Sequence, residues 1–208
     1  MVSVDDLWNT EKFNHIKTLR YQEIVGFVFE NIKLKNGATR WYFSYNLINL
    51  ILLTSLIIYG LSTGSLVFKT LSKFFLFGLL AGSIAVIPVH EIIHGITYLL
   101  HGAPKIFFGA DLRQMIFYVA SDKYVLNRKG FFRVALSPFI IINLATIFLS
   151  IYLNINWCIF ALSFLLFHNI MCIGDFAMVS YFLKHKDKEL YTYDDHKEKT
   201  SYIFEKRG

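Results

Sequence analysis

Four apolar stretches dominate the sequence: Trp41 to Gly64, Phe74 to Leu100, Val134 to Leu153 and Asn156 to Leu183. Each is close to or longer than the ~20 residues a helix needs to cross a ~30 Å hydrocarbon core. With 55% of its 208 residues hydrophobic, the chain is too apolar for an ordinary soluble domain. The expectation is an all-α multi-pass membrane protein with four transmembrane helices. Its membrane domain covers residues 41–183, preceded by a cytoplasmic segment, 1–40, and followed by a charged cytoplasmic tail, 184–208.

The charges give the orientation. Of the 21 Lys and Arg residues, six precede the first stretch, two separate the first from the second, six lie from Lys105 to Arg133, none separates the third from the fourth, and seven follow Leu183. Nineteen therefore share one side of the membrane and two lie on the other. The positive-inside rule puts both termini and residues 101–133 in the cytoplasm. The net charge of +6 then follows from topology, and solvated cytoplasmic faces account for it better than nucleic-acid binding does. No short apolar run with a small-residue cleavage site precedes the first stretch, so no removable signal peptide is expected. Heavy use of Phe, Ile, Lys and Asn suggests a bacterial plasma membrane. Cys158 and Cys172 sit 14 residues apart, ~21 Å on one helix, too far to pair.

Outside the membrane the signals are weaker. The run from Glu23 to Gly37 closes on an Asn-Gly turn signal, and a strand pair or an amphipathic surface helix fits residues 1–40 equally well. Two β-prone runs, Lys105 to Phe108 and Met115 to Ala120, flank Gly109-Ala110-Asp111 and predict a short cytoplasmic β-hairpin turning at those three residues. The charged tail is expected to fray or to lie on the membrane surface.

Ionisable residues inside the stretches are few: His90, Glu91 and His94 in the second, His168 and Asp175 in the fourth, and no Lys or Arg. A charge at the bilayer centre costs at least ~2.5–3.5 kcal/mol, so such residues face a cavity or one another and mark function. On a helix His90 and His94 lie one turn apart on one face, and both imidazoles can converge on one cation with Glu91 beside it. This is the HExxH arrangement of zinc hydrolases. A catalytic zinc takes three protein ligands and leaves a fourth position open. Asp175 supplies the third, because both helices run inward and His90 and Asp175 come roughly 17 and 19 residues after their starts, at similar depth. His168, seven residues before Asp175, is ~10 Å further out on a straight helix, which leaves it a supporting or substrate-contacting role.

The neighbouring residues suit a site. Pro88 frees the carbonyl of Ile84 and loosens the helix where the ligands begin. Gly95 and Gly174 would let the second and fourth spans approach closely. Gly78 and Gly82 form a GxxxG spacing, read as helix packing within the chain rather than dimerisation.

HEIIHG in one span, a β-prone cytoplasmic segment, an intervening span and an aspartate deep in the next together resemble the three-helix core of the site-2 protease class of intramembrane zinc metalloproteases. More closely, the chain is similar to a bacterial family of putative zincin peptidases allied to them. The resemblance covers about residues 70–183, with one extra N-terminal span. By motif it makes His90 and His94 metal ligands, Glu91 the catalytic glutamate and Asp175 the later aspartate. Typical members carry Asn-x-x-Pro and Leu-Asp-Gly in the last core helix. Here the sequence is HNIMCIGDF, without the proline and with glycine before the aspartate, which bears on Asn169, taken with His168 as a supporting or substrate-contacting residue, more than on Asp175. No PDZ-like regulatory domain is expected.

The function implied is a membrane-embedded, Zn2+-dependent endopeptidase acting on membrane-anchored proteins or peptides. Zinc held by His90, His94 and Asp175 would acidify a water whose proton Glu91 accepts and passes to the leaving amine. The hairpin edge from Met115 to Tyr118 either holds an unwound substrate by strand addition or merely covers the site. Two other readings stand beside this one: a catalytically silent membrane scaffold, and a metal or proton transporter, for which His168 is the one outer-half ionisable residue.

Overall fold

The computed structural model describes residues 2–32, 36–111, 113–114 and 116–207. The chain opens with a short helix α1 (Val4–Leu7), a strand β1 (Phe13–Arg20), a 3-10 turn (Tyr21–Glu23) and a helix α2 (Ile24–Asn31). Residues 1–40 thus contain both a strand and a helix, the two readings the sequence left open. The Asn-Gly pair makes no turn. Asn36 is the N-cap of α3 (Gly37–Ser62), its side chain accepting from the Thr39 amide at 3.1 Å, so the helix starts ahead of Trp41. Residues 33–35, in the apolar run from Glu23, lie outside the described residues.

Next come α4 (Phe68–Leu80), a π-helical segment (Ala81–Ala85) and α5 (Ile87–Leu100). Among the described residues three helical stretches, Gly37–Ser62, Phe68–Ala85 and Arg128–Ser150, are long and apolar enough to cross a membrane, and a bent pair makes a fourth if it counts as one span. The second differs from expectation. Phe68–Ala85 satisfies the length by itself, so α5 extends beyond it. Gly78 and Gly82 face α7 (Ile155–Met171), where an added Cβ would overlap Ser163, the Phe160 carbonyl and the Phe164 backbone. The GxxxG spacing therefore packs two helices of one chain.

Beyond α5, β2 (Phe107–Asp111) pairs antiparallel with β3 (Ile116–Ala120), Asp111 opposite Ile116. A hairpin was expected here, but Gly109-Ala110-Asp111 belongs to the strand, and Met115 lies outside the described residues. The turn falls later because the Asp111 carboxylate accepts from the Arg113 amide at 3.0 Å and from Gln114 Nε2 at 3.1 Å, which builds an Asx turn. Glycine is needed at 109 because a side chain there would overlap the Tyr118 ring.

A two-residue strand β4 (Leu126–Asn127) leads into α6 (Arg128–Ser150). After α7, α8 (Ile173–Lys184) turns away by 49°. The tail does not fray: β5 (Leu190–Asp195) and β6 (Thr200–Lys206) form the centre of an antiparallel sheet of order β1-β6-β5-β4. The chain is therefore not all-α. Alternation accounts for the sheet. Ile203 faces a core with Leu19, Phe27, Phe182 and Leu190, and Phe204 faces the opposite core with Leu7 and Phe13. The tail's charges pair across the strands, Lys188 with Glu205 at 2.7 Å and Lys206 with Glu189 at 3.3 Å. The sheet thus joins a strand from the start of the chain, a strand just ahead of α6 and the two strands of the tail.

Candidate metal centre

Three elements build the site: the first two turns of α5, the junction of α7 with α8, and the first two turns of α6. Pro88 sits in the first turn of α5, where its missing N–H is tolerated. The strain is taken up one turn earlier, as the sequence suggested: the helix widens to a π segment and the Val86 amide bonds to the Ala81 carbonyl at 2.9 Å. His90 and His94 then project together into the interior, each 8% exposed.

Their ring nitrogens are ordered by partners. His94 Nδ1 lies 2.9 Å from the Val134 carbonyl. A carbonyl only accepts, so Nδ1 carries the proton and Nε2 presents a lone pair. His94 Nε2 is 3.1 Å from His90 Nε2, and each is 3.5 Å from one oxygen of Asp175. Two imidazole nitrogens and a carboxylate that converge this way need a positive charge among them, either a proton or a metal ion. Tetrahedral ligands at ~2.0–2.1 Å from zinc stand roughly 3.3 Å apart, and these separations match. The donor set of two imidazoles and one carboxylate fits catalytic zinc.

Asp175 reaches this point because the fourth helical stretch is broken. The Cys172 amide bonds to the carbonyls of both His168 and Asn169 at 3.2 Å, and Tyr42 Oη donates to the Asn169 carbonyl at 2.8 Å. Tyr42 thus occupies an acceptor beside the bend, and α8 restarts in a new direction with Asp175 in its first turn. No proline marks the bend.

The bend also corrects the expectation for His168. On a straight helix it would be far from the ligands, but its Nε2 lies 3.2 Å from His90 Nδ1 and the residue is fully buried. Were a cation to take His90 Nε2, Nδ1–H would donate to His168 Nε2, fixing the ring and raising its basicity. Cys172 Sγ is 3.6 Å from His168 Nε2, so His90, His168 and Cys172 form a second group of ligand types. All three residues of that second group are buried. Asn169, the other residue given a supporting role, turns away. Its Oδ1 accepts from Asn143 Nδ2 at 2.7 Å, clamping α7 to α6. Gly95 and Gly174 do not join the two spans. Gly95 makes room for Ile106 and Phe108, and nothing lies within 4 Å of a Cβ at Gly174.

Glu91 borders a cavity of about 540 Å³ together with the metal-ligand residues, Val28 of α2 and Tyr118 of β3. Its Oε2 is buried without a hydrogen-bond partner among the described residues. A buried carboxylate oxygen is normally hydrogen-bonded, and here the cavity provides the space for a partner. Asp194, Tyr21 and Tyr98 line the same cavity and were not foreseen. Tyr98 carried a signal, since it follows His94 by one turn on the same face; Asp194 carried none. A larger cavity, about 690 Å³, lies among α1, β1 and the start of α6 and includes none of these site residues.

A mostly helical chain with several membrane-length helices and a two-histidine, one-aspartate centre defines a class of membrane metalloprotein. Residues 83–190 match the family described as "Putative zincin peptidase". The match covers just over half of the chain, and the chain belongs to that family. No curated protein and no solved structure matches it.

Proposed function

We infer that the protein is a zinc-dependent endopeptidase that hydrolyses peptide bonds within or next to the membrane. The observation that carries this reading is the convergence of His90 Nε2, His94 Nε2 and Asp175 within hydrogen-bond or near-contact range, beside an unpartnered Glu91 carboxylate on an open cavity. His90, His94 and Asp175 hold the ion. When bound, zinc supplies Lewis-acid polarisation of water and of the scissile carbonyl. Glu91 accepts the proton that water loses as it attacks, and returns a proton to the amine as the C–N bond breaks. His168 and the Val134 carbonyl hold the two imidazoles in the tautomers that present Nε2. The positive-inside distribution supports a multi-pass protein with both termini in the cytoplasm of a bacterial cell and an active site opening on that side. The substrates would be membrane-anchored proteins or peptides.

The test compares purified wild type with Glu91→Gln. Both should carry one zinc per chain, and only the wild type should cleave membrane-anchored peptides. A folded wild type that takes up no zinc would remove the basis of the reading. Zinc retention with metal flux in liposomes and no cleavage would favour the transporter.

A further inference from the structure

The cavity has a second polar end. Beyond His94, α5 brings Tyr98 round on the same face, and its hydroxyl meets Asp194 Oδ2 of β5 at 3.4 Å. Ser201 of β6 donates to the other carboxylate oxygen. Tyr21 and Tyr118, whose rings meet edge-on at 4.6 Å, form the walls beside it. All five residues line the cavity except for being set in different elements, and three of them, Tyr21, Asp194 and Ser201, fall outside the residues that match the family.

The charge inventory there is one-sided. The ionisable residues lining the cavity are the histidines of the metal centre, Glu91, Asp175 and Asp194, with no Lys or Arg among the described lining residues. This is notable in a chain with 21 Lys and Arg. Asp175 is compensated by two imidazoles. Among the described residues, the Asp194 carboxylate has only hydroxyl donors, and the nearby Lys123 is directed to Asp195 at 3.6 Å. A partly enclosed carboxylate without a counter-charge is an incomplete interaction, and here it opens on the space a substrate would occupy.

We propose that Asp194, oriented by Tyr98 and Ser201, is a specificity-determining residue that receives a cationic group of the substrate, a Lys or Arg side chain or a free α-amine. The proposal rests on the peptidase reading and names the substrate class for it. The rise from His94 to Tyr98 is ~6 Å along α5, and the phenol extends the reach. At ~3.3 Å per extended residue, the cation lies roughly two to four residues from the bond at the metal centre. The apolar walls of α2 and β3 receive the residues between.

The experiment uses full-length, zinc-loaded Glu91→Gln protein in detergent and fluorescein-labelled ten-residue peptides of Ala, Val and Ser. One series is N-acetylated with a single Lys moved through the sequence, a second replaces Lys by norleucine, and a third has a free N-terminus. Fluorescence anisotropy should show at least tenfold tighter binding of a charged peptide than of its neutral counterpart. The acetylated Lys series identifies a side chain as the source; the free-amine series identifies the terminus. Adding Asp194→Asn should bring the charged and neutral peptides within about twofold while zinc content stays unchanged. Equal binding of Lys and norleucine peptides at every position, with no gain from a free amine, overturns the proposal, as does a preference that survives Asp194→Asn. If Asp194→Asn fails to fold, competition on the Glu91→Gln protein decides: butylamine should displace the charged peptide and 1-butanol should not, and equal displacement overturns the proposal. Cleavage by wild type without a charge preference rejects this inference alone. A charge preference without any cleavage rejects the peptidase reading instead.

Discussion

The two ends of the cavity each hold a carboxylate, and the two are treated differently by their neighbours. Asp175 meets two imidazole nitrogens at 3.5 Å, themselves tied to His168 and to the Val134 carbonyl. Asp194 meets two neutral hydroxyls, and burial pushes its carboxyl above the usual range. The difference teaches how a protein separates a permanent cation from a transient one. Nitrogen ligands with locked tautomers make a centre that retains its ion. A carboxylate with hydroxyl partners alone keeps its demand for charge unmet until a ligand arrives.

The strongest way to break this comparison is at the metal. Asp175→Ala should weaken zinc binding by more than about 100-fold, beyond the 10–100-fold typical of an outer partner. Asp194→Asn should leave one zinc per chain; metal analysis after dialysis against a chelator distinguishes them. Equal zinc loss in both would erase the distinction. His168→Phe comes next, with a loss of zinc affinity of about 10–100-fold because His90 Nδ1–H loses its acceptor. Chelator competition measures it, and His168→Gln, whose amide oxygen can accept, should recover part of the loss.

Stability gives smaller but sharper readouts. Because folding raises the Asp194 carboxyl, the native state holds its proton more tightly than the unfolded chain does. The stability this gives is present in acid and is lost as pH rises through the raised value. Asp194→Asn has no such loss. It should melt about 2–4 °C above wild type at neutral pH, and the gain should vanish in acid. Tyr98 and Ser201 bond to the carboxylate and Tyr21 and Tyr118 line the cavity beside it, and none of them is a cation. The smallest effect is expected at the helix bend: Tyr42→Phe removes a hydrogen bond worth about 0.5–1.5 kcal/mol, read as a lower melting temperature with zinc still bound.

What the sequence made legible follows from what is local. The His90-Glu91-His94 spacing, the widened turn before Pro88 and the hairpin all depend on residues within one or two turns or strands of each other. Asp175 was reached by counting depth along two helices. His168 was misplaced because the helix bends at Cys172, where Tyr42 takes up the carbonyl of a residue 127 positions away. No residue near the bend announces that. The tail was misread because its charges obscured the alternation of Leu190, Thr192, Ile203 and Phe204, and because its partner β1 stands at the other end of the chain. Asp194 was overlooked with it.

That pairing of β1 with β6 has a consequence for timing. The first strand leaves the ribosome ahead of every membrane-length helix, and its neighbour in the sheet follows all of them. Contacts so distant along the chain form late. Tyr21, just after β1, and Asp194 and Ser201, in and beside the closing hairpin, come together only when that sheet does. A nascent chain can therefore assemble its metal-ligand helices while the selective end of its cavity is still unmade. The sheet is the step that turns an inserted chain into one that can choose what it binds.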